Sequence, residues 1–247
     1  MISADTLFHF TSSPENLGNI LQNEFCPHFS LETVQLVGRV DKMAFPMVCF
    51  CDIPLSQIKN HINTYGSYGI GMSMEWATRN ALNPVIYLGP DSDLSRTIGK
   101  TVGEALRAVK SGQTLTTEYE AMGILRFIKP YEGEFVHNGR VIEKVRFYDE
   151  KEWRFVPKVN ARYEKQGFGL TEDEYKSDLK TRLEDSFRKE AKLKFEPNDV
   201  RYLIIRDDKE IRLLVEALKL IKSKYDPATI EILISRIMTC DQIEHDV

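Results

Sequence analysis

The sequence is poor in cysteine and has no long apolar run. Its 247 residues include four cysteines, Cys26, Cys49, Cys51 and Cys240, and no two of them form a C-x-x-C pair. This spacing argues against a zinc or dithiol redox motif, and no metal site is predicted. Because no signal-peptide pattern is present either, we expect four reduced thiols and a cytoplasmic location. No apolar run approaches ~20 residues, so no membrane span is predicted.

An excess of positive charge and a complete glycine motif are also missing. The formal net charge is −4, from 33 Lys and Arg against 37 Asp and Glu. A protein that coats nucleic acid without sequence preference needs clustered Lys and Arg side chains, so this charge balance argues against such a function. The net charge does not exclude a local basic groove. Gly69 and Gly71 lack the third glycine and the strong helix that a dinucleotide-binding Rossmann motif requires, so that motif is excluded.

What is present is an irregular alternation of short strands and helices. Strands are predicted over 6–11, 45–51, 68–73, 85–88, 152–157, 200–205 and 230–235. Helices are predicted after a Ser-Pro start at 12–15, over about 55–65 and 75–81, through most of 91–128, through 175–187 and over about 208–223. This order predicts an α+β fold with a mixed β-sheet surrounded by helices. We expect a single domain over 1–247, with a charged, solvated helical insertion at about 158–196.

The strand around Glu152 carries the most informative polar pattern. Side chains alternate across a strand, so Glu150, Glu152 and Arg154 are expected on one face. The opposite face would carry Trp153 and Phe155 and anchor in the core, while the E-x-E face would line a cleft. Two carboxylates ~7 Å apart would raise at least one pKa, which suits acid–base chemistry or the stabilisation of a cation. The alternative is a solvent-facing strand with a Glu–Arg pair.

Histidine and tyrosine side chains form a second set of candidates. His9 and Thr11 share one face of the first strand against an aromatic background. His61 and Tyr65 lie four residues apart on one helix face, and Tyr68 follows in the next element. These groups could bind a ligand. The alternative for His9 is a buried histidine bonded to the backbone, and for the tyrosines it is core packing.

Several segments resemble known protein families. LFHFTSSPENLGNIL (7–21) resembles the first strand and helix of ADP-ribosyltransferases that modify nucleic acids, in which an HxT strand precedes an NLxxIL helix. VCFCDIPLSQIKNHINTYGSYGIGMS (48–73), NPVIYL (83–88) and YDEKEWRFVP (148–157) together resemble the AbiGi family of bacterial abortive-infection proteins. The resemblance spans most of the chain and leaves out the charged segment 158–196.

The resemblance implies a phage-defence protein with an ADP-ribosyltransferase-like fold, which is a split, mixed sheet around an NAD-binding cleft. By this resemblance His9 and Thr11 would hold the nicotinamide ribose. Tyr65 or Tyr68 would stack on nicotinamide, and His61 belongs to the same NAD-binding set.

The same resemblance implies catalytic roles for the two glutamates. Glu152 would accept a hydrogen bond from the ribose 2′-hydroxyl, and Glu150 would polarise the acceptor nucleophile. Cleavage of the nicotinamide–ribose bond builds oxocarbenium-like positive charge, which a fixed carboxylate stabilises as it does in glycosidases.

Two departures from these families keep more than one function open. Enzymes that modify thymidine in DNA also use an early arginine, for which Arg39 is a loose candidate, and the tyrosine spacing differs from that of His-Tyr-Glu transferases. AbiGi proteins are also described as the antitoxin half of a two-gene system. The first hypothesis is therefore an NAD-dependent ADP-ribosyltransferase toxin acting on nucleic acid or protein. The second is a non-catalytic antitoxin or sensor that binds a partner protein, and the third is another nucleotide-dependent enzyme or an NAD-cleaving hydrolase.

Overall fold

A computed structural model describes residues 5–111, 121–137, 140–158 and 169–246 of the chain. It divides into two compact units. The first unit comprises Met1–Cys26, Cys49–Leu82 and Lys192–Val247, and the second comprises Pro27–Val48 and Asn83–Ala191. No helix in the described ranges is both long enough and apolar enough to cross a membrane. The single domain expected from the sequence stays a prediction.

The elements follow one another in an order that confirms the α+β class. The strands are β1 (Thr6–Thr11), β2 (His28–Leu36), β3 (Arg39–Cys51), β4 (Tyr68–Ser73), β5 (Asn83–Pro84), β6 (Ile86–Leu88), β7 (Ile128–Pro130), β8 (Gly133–His137), β9 (Arg140–Val145), β10 (Glu152–Phe155), β11 (Leu170–Thr171), β12 (Val200–Ile205) and β13 (Ile237–Thr239). The helices are α1 (Pro14–Asn23), α2 (Lys59–Tyr65), α3 (Met74–Arg79), α4 (Asp93–Lys110), α5 (Glu172–Tyr175), α6 (Asp178–Glu190), α7 (Ile211–Ile221), α8 (Pro227–Ile234) and α9 (Cys240–Asp246).

The first unit is built on a mixed sheet. Strand β4 lies between β1 and β12 and is antiparallel to both, while β13 is parallel to β12. The C-terminal end of β3 joins the sheet through the Phe8–Cys51 pair. Gly71 on β4 makes room for aromatic rings, since a Cβ there would lie 2.9 Å from Cε1 of Phe8. The glycines of this strand therefore serve close packing between neighbouring strands.

Two helix boundaries of the first unit lie where the sequence signals place them. Ser13 caps α1 by accepting a hydrogen bond from the backbone N–H of Asn16, and Pro14 occupies the first turn. Gly66 ends α2 at a φ of 120°, and a Cβ there would lie 2.3 Å from the carbonyl oxygen of Thr11. A side chain at this position is excluded both by the backbone conformation and by the close approach.

The second unit contains one long hairpin and several short strand pairs. Strands β2 and β3 form an antiparallel hairpin that closes at the Leu36–Arg39 pair, with Gly38 at a φ of 73° in the turn. Strand β11 pairs with β3 and β10 pairs with β5, both antiparallel, whereas β6 and β7 run parallel. A core cluster of Phe29, Ala44, Leu170, Leu183 and Phe187 holds α6 against the β2–β3 hairpin. One face of α6 is therefore buried, as expected for a helix whose apolar residues recur at helical spacing.

Two predicted segments differ in the structure. The apolar run IEILIS, predicted as a strand over 230–235, lies mostly in α8, and the last strand is β13. Asp226 caps α8 by accepting from the N–H of Thr229, and Pro227 stands in the first turn. These two residues fix a helix start where a short apolar run fits either structure. The segment 91–128, predicted as mainly helical, contains α4 through Lys110 and helical turns over 121–127, while 112–120 lie outside the described residues and 128–130 form β7.

Candidate functional site

Strand β10 places its charged side chains inside the second unit. Glu152 is 5% exposed and Arg154 is fully buried, while Trp153 and Phe155 are half-buried. The predicted alternation is present, but the charged face is the buried one, so the expectation that an aromatic face anchors the strand is wrong. The reason is that Glu152 and Arg154 form an ion pair and each has further charged or polar partners, and these interactions offset the free-energy cost of removing the two charges from water.

Glu150 is not part of this strand. It ends a turn of 3-10 helix over Phe147–Glu150, and Lys151 follows in the left-handed region at a φ of 43°. The E-x-E pair therefore does not share a strand face, contrary to the prediction. The two carboxylates meet instead on one ammonium group, because Lys129 Nζ lies 2.5 Å from Oε2 of Glu150 and 2.8 Å from Oε2 of Glu152.

Both oxygens of the Glu152 carboxylate are engaged. Arg154 donates from Nε to Oε1 at 2.6 Å, and its second terminal nitrogen lies 3.3 Å from Oε2, the oxygen that also accepts from Lys129. The same guanidinium donates to Oε2 of Glu32 at 2.8 Å and to the carbonyl oxygen of Arg126 at 2.9 Å. We call the five residues Glu32, Lys129, Glu150, Glu152 and Arg154 the charge network.

Backbone pairing explains how these side chains meet. In the register between β6 and β7, Tyr87 lies beside Lys129. The segment that leads into β6 is bonded to β10, since the N–H of Val85 donates to the carbonyl oxygen of Glu152 at 3.0 Å. The N–H of Glu152 in turn donates to the hydroxyl of Tyr87 at 2.8 Å. Residues 83–88 thereby hold Lys129 next to Glu152.

The charge network shifts the pKa values of Glu152 and Lys129. Burial alone would raise the pKa of Glu152, but the Arg154 guanidinium and the Lys129 ammonium hold it well below its usual range. Burial works against the charged form of Lys129 as well, yet the carboxylates of Glu152, Glu150 and Glu32 raise the pKa of Lys129 well above its ordinary value. The expectation of a raised pKa for a glutamate pair is therefore wrong for Glu152. Two cations outweigh the second carboxylate and the loss of solvation.

Tyrosine rings line one side of the charge network. Tyr87 and Tyr148 meet edge to face with ring centroids 5.4 Å apart, and Tyr131 lies 5.6 Å from Tyr148. Lys129 Nζ stands 4.8 Å from the centroid of Phe147. Burial is the main cause that raises the pKa of Tyr87, so its hydroxyl stays protonated and can accept from Glu152 N–H at neutral pH.

The histidine and tyrosine candidates lie in the first unit. His9 Nδ1 is 2.8 Å from the carbonyl oxygen of Cys49, and its ring meets Phe25 edge to face at 5.4 Å and Phe50 at 5.6 Å. Thr11 accepts a hydrogen bond at Oγ1 from the amide of Asn16 at 2.9 Å. His9 is thus half-buried among aromatic rings and bonded to the backbone, which fits the alternative of a histidine with a packing role.

The remaining candidates divide between core and partly open positions. His61 and Tyr65 are half-buried on α2, with ring centroids 5.6 Å apart. Tyr68 is 1% exposed and donates from its hydroxyl to Oε1 of Glu210 at 2.7 Å. Burial and this bond raise the pKa of Tyr68 to about 12. Contact of any of these residues with NAD stays a prediction, and the side chain of Arg39 lies outside the described part of the chain.

Sequence reasoning missed two members of the charge network. Lys129 lies just beyond the helix predicted through most of 91–128, in no predicted element, and Glu32 falls in a strand that was not predicted. The alternation HFSLETVQL over 28–36, followed by the Val-Gly turn, could have revealed β2. No sequence signal pairs Lys129 or Glu32 with β10, because their partners lie 23 and 122 residues away in the chain.

In the described residues, no group of three or more His, Cys, Asp or Glu side chains is arranged to hold a metal ion.

Comparisons with known proteins identify the family. A curated relative, "Abortive phage resistance protein AbiGi" from Lactococcus lactis subsp. cremoris, is 27% identical over 221 residues, which cover 81% of this chain and 88% of the relative. No solved structure matches the chain. The family model described as "Putative abortive phage resistance protein AbiGi, antitoxin" matches residues 23–206, the greater part of the sequence. This chain therefore belongs to the AbiGi family of abortive phage resistance proteins.

Proposed function

We propose that this protein acts in abortive infection as an antitoxin, which binds a toxin partner and restrains it without catalysis of its own. The observation that carries the proposal is the state of Glu152, the residue on which the catalytic hypothesis depends. Its side chain is 7% exposed and contacts two cations. The description of the matching family model, which names an antitoxin, supports the same reading.

The geometry of Glu152 suits a structural role. A carboxylate that stabilises an oxocarbenium-like transition state needs an oxygen facing the reacting ribose, with its charge directed at that group. Here Oε1 accepts from Arg154, Oε2 accepts from Lys129, and the charge is compensated inside the protein. This arrangement does not fit contact with the ribose of NAD, so no reaction step is assigned to Glu152.

The rival proposal is an NAD-dependent ADP-ribosyltransferase with the split, mixed sheet of those enzymes. It rests on the similarity of segment 7–21 to the opening strand and helix of such enzymes. For this activity Glu152 would have to exchange Arg154 or Lys129 for substrate. Such an exchange breaks a buried ion pair and leaves the cation only its second carboxylate, Glu32 for Arg154 or Glu150 for Lys129.

Coexpression with the product of the adjacent gene tests the proposal. If this chain is the antitoxin, cells that express the adjacent gene alone stop growing, and growth returns when this chain is coexpressed. The purified protein should release no nicotinamide from NAD, alone or mixed with extract from phage-infected cells. Growth arrest by this chain itself, together with nicotinamide release, would replace the antitoxin proposal with the enzyme.

A further inference from the structure

A cavity of about 500 Å³ lies within the second unit, between the β2–β3 hairpin and helix α4. Its deep wall is aliphatic. Five of the side chains in this wall are at most 7% exposed: Val34, Leu36, Val102, Met122 and Leu125. Protein interiors are packed so closely that voids larger than one water molecule, about 30 Å³, are few. A cavity of this size with a buried apolar wall is therefore typical of a site for an apolar ligand.

Two glycines of α4 keep the cavity open. Gly99 and Gly103 lie one turn apart on the helix, and both line the cavity. The described atom nearest to a Cβ at Gly103 would be a terminal guanidinium nitrogen of Arg107, at 3.8 Å. A Cβ at Gly99 would lie 3.6 Å from Cβ of Leu36, an ordinary van der Waals distance. Glycine is unfavourable inside a helix, and close packing requires it at neither position, so what these two glycines provide is the space above them.

The cavity is elongated along α4. Its lining positions on this helix run from Gly99 to Arg107, eight residues that span about 12 Å at a rise of 1.5 Å per residue. The described residues that line the cavity include no aromatic ring, so the stacking contacts that select flat rings are missing from them. Met43 and Met122 also line it, and methionine side chains adapt their shape to a flexible ligand. This lining favours an alkyl chain over an aromatic molecule.

Polar side chains lie at the mouth of the cavity. Lys42, Arg107 and Thr171 belong to its lining and are exposed. Asp41, also in the lining, is half-buried. Two cations, a carboxylate and a hydroxyl do not select one charge on a ligand, but they provide hydrogen-bonding groups where the cavity meets water. Aliphatic side chains in the depth and polar ones at the mouth match a molecule that is apolar along its length and polar at one end.

We infer that this cavity binds a single-chain alkyl compound, with the chain along α4 and a polar head group at the mouth. The chain would contact the aliphatic wall, and the head group would stay within reach of the polar side chains and of water. This inference goes beyond the antitoxin proposal and does not depend on it, because every residue used here belongs to the second unit and binding is measured on this chain alone.

Calorimetric titration of the purified full chain with octanoate, decanoate, 1-decanol and 2-naphthoate tests the ligand class. Each buried CH₂ group should strengthen binding about fourfold, so decanoate should bind about 15-fold more tightly than octanoate. The alcohol 1-decanol has the same chain without the charge and should bind within a few-fold of decanoate, whereas the flat ring of 2-naphthoate should bind more weakly. Equal affinities for octanoate and decanoate, tighter binding of 2-naphthoate, or binding of decanoate but not of 1-decanol would overturn the alkyl ligand.

Substitutions on α4 test the location of the site. Gly103→Leu should weaken decanoate binding by about 15-fold or more, because the new side chain displaces at least two CH₂ groups of the ligand. Thr101→Leu is the matched control, since Thr101 is exposed on the same helix and does not line the cavity, and it should bind like wild type. Leu106→Glu should also weaken binding, because it places a charge against the chain at a half-buried lining position.

The two cavity variants give independent answers. Weaker binding by both, with Thr101→Leu unaffected, supports the site, and Leu106→Glu decides the question if Gly103→Leu does not fold. Wild-type affinity in a folded cavity variant overturns the site, and so does the absence of decanoate binding by wild-type protein. Either result leaves the antitoxin proposal standing, because growth rescue by coexpression tests that proposal separately.

Discussion

Arg154 donates a hydrogen bond of 2.6 Å to Glu152, two residues before it on the same strand, and both side chains are buried. Side chains two apart on a strand point to the same side, so the pairing follows from the strand geometry. A buried ion pair is weak evidence for net stabilisation, but the removal of one partner is strongly destabilising. The stability of the second unit should therefore depend on Glu152 far more than on exposed acidic residues.

Glu152→Gln should destabilise the protein by about 1.5–3 kcal/mol, since it removes the carboxylate that Arg154 and Lys129 share and leaves each cation one other carboxylate, Glu32 and Glu150 respectively. Urea-induced unfolding followed by circular dichroism measures this change. Glu172→Gln is the control, because Glu172 pairs with Lys176 on an exposed helical turn, where water screens the two charges, and its loss should change stability little. Equal and small effects of the two substitutions would show that the charge network does not support the fold.

Stability should fall with acid in a way that depends on Glu152. The pKa of Glu152 is lowered in the folded protein from an ordinary value of 4.5, so its contribution is complete above about pH 4.5 and is lost as the pH falls further. The difference in unfolding free energy between wild type and Glu152→Gln should therefore shrink from about pH 5 to about pH 3, because the Glu152 carboxyl of the unfolded chain becomes protonated over roughly this range. A difference that stays constant or grows in acid would contradict the lowered pKa.

Two glycine substitutions should change stability in opposite directions. Gly71→Ala places a Cβ 2.9 Å from Phe8 and Thr6 and should destabilise by about 1–3 kcal/mol through overpacking. Gly18→Ala lies within α1 with no other atom within 4 Å of the new Cβ, and should stabilise by about 0.5–1 kcal/mol through helix propensity. Thermal unfolding of both variants checks the signs. A neutral Gly71→Ala would contradict the close packing of β1 against β4.

His9→Ala should lower stability, because it removes the bond to the Cys49 carbonyl and the ring contacts with Phe25 and Phe50. We expect a loss of about 1–3 kcal/mol, within the range for a single substitution that removes a partly buried side chain. Unfolding and NAD binding should be measured on the same sample. Unchanged stability with a loss of NAD binding would instead support the role that the transferase resemblance assigns to His9.

Local sequence patterns predicted much of the fold. The helix start at Ser13-Pro14, the stop at Gly66, and the strands at 68–73 and 200–205 all follow from residue types acting within a few positions. The segment IEILIS was misassigned because a largely apolar run of six residues is too short for its period to distinguish a strand from a helix. The capping residue Asp226, four positions earlier, was the signal that decides it.

The candidate site was predicted less completely than the fold. The alternation of Glu152 and Arg154 was visible, but hydrophobicity alone assigned the aromatic face to the interior. Which face is buried depends on Lys129 and Glu32, and these reach β10 through tertiary pairing that local patterns do not encode. Both the burial of the charged face and the lowered pKa of Glu152 follow from those two distant residues.

The most direct test of the central claim, that this protein acts by binding and not through Glu152 chemistry, uses the double variant Lys129→Gln, Glu152→Gln. This variant removes one cation and one carboxylate together, so Arg154 keeps Glu32 and can still donate to the side-chain oxygen of Gln at 152. Because Glu150 loses its ion pair with Lys129 in this variant, circular dichroism first establishes that the variant is folded. The measurement is growth of cells that coexpress the adjacent gene with the double variant. We expect rescue equal to that by wild-type protein. A folded double variant that fails to rescue growth would contradict the claim that the protein acts by binding alone.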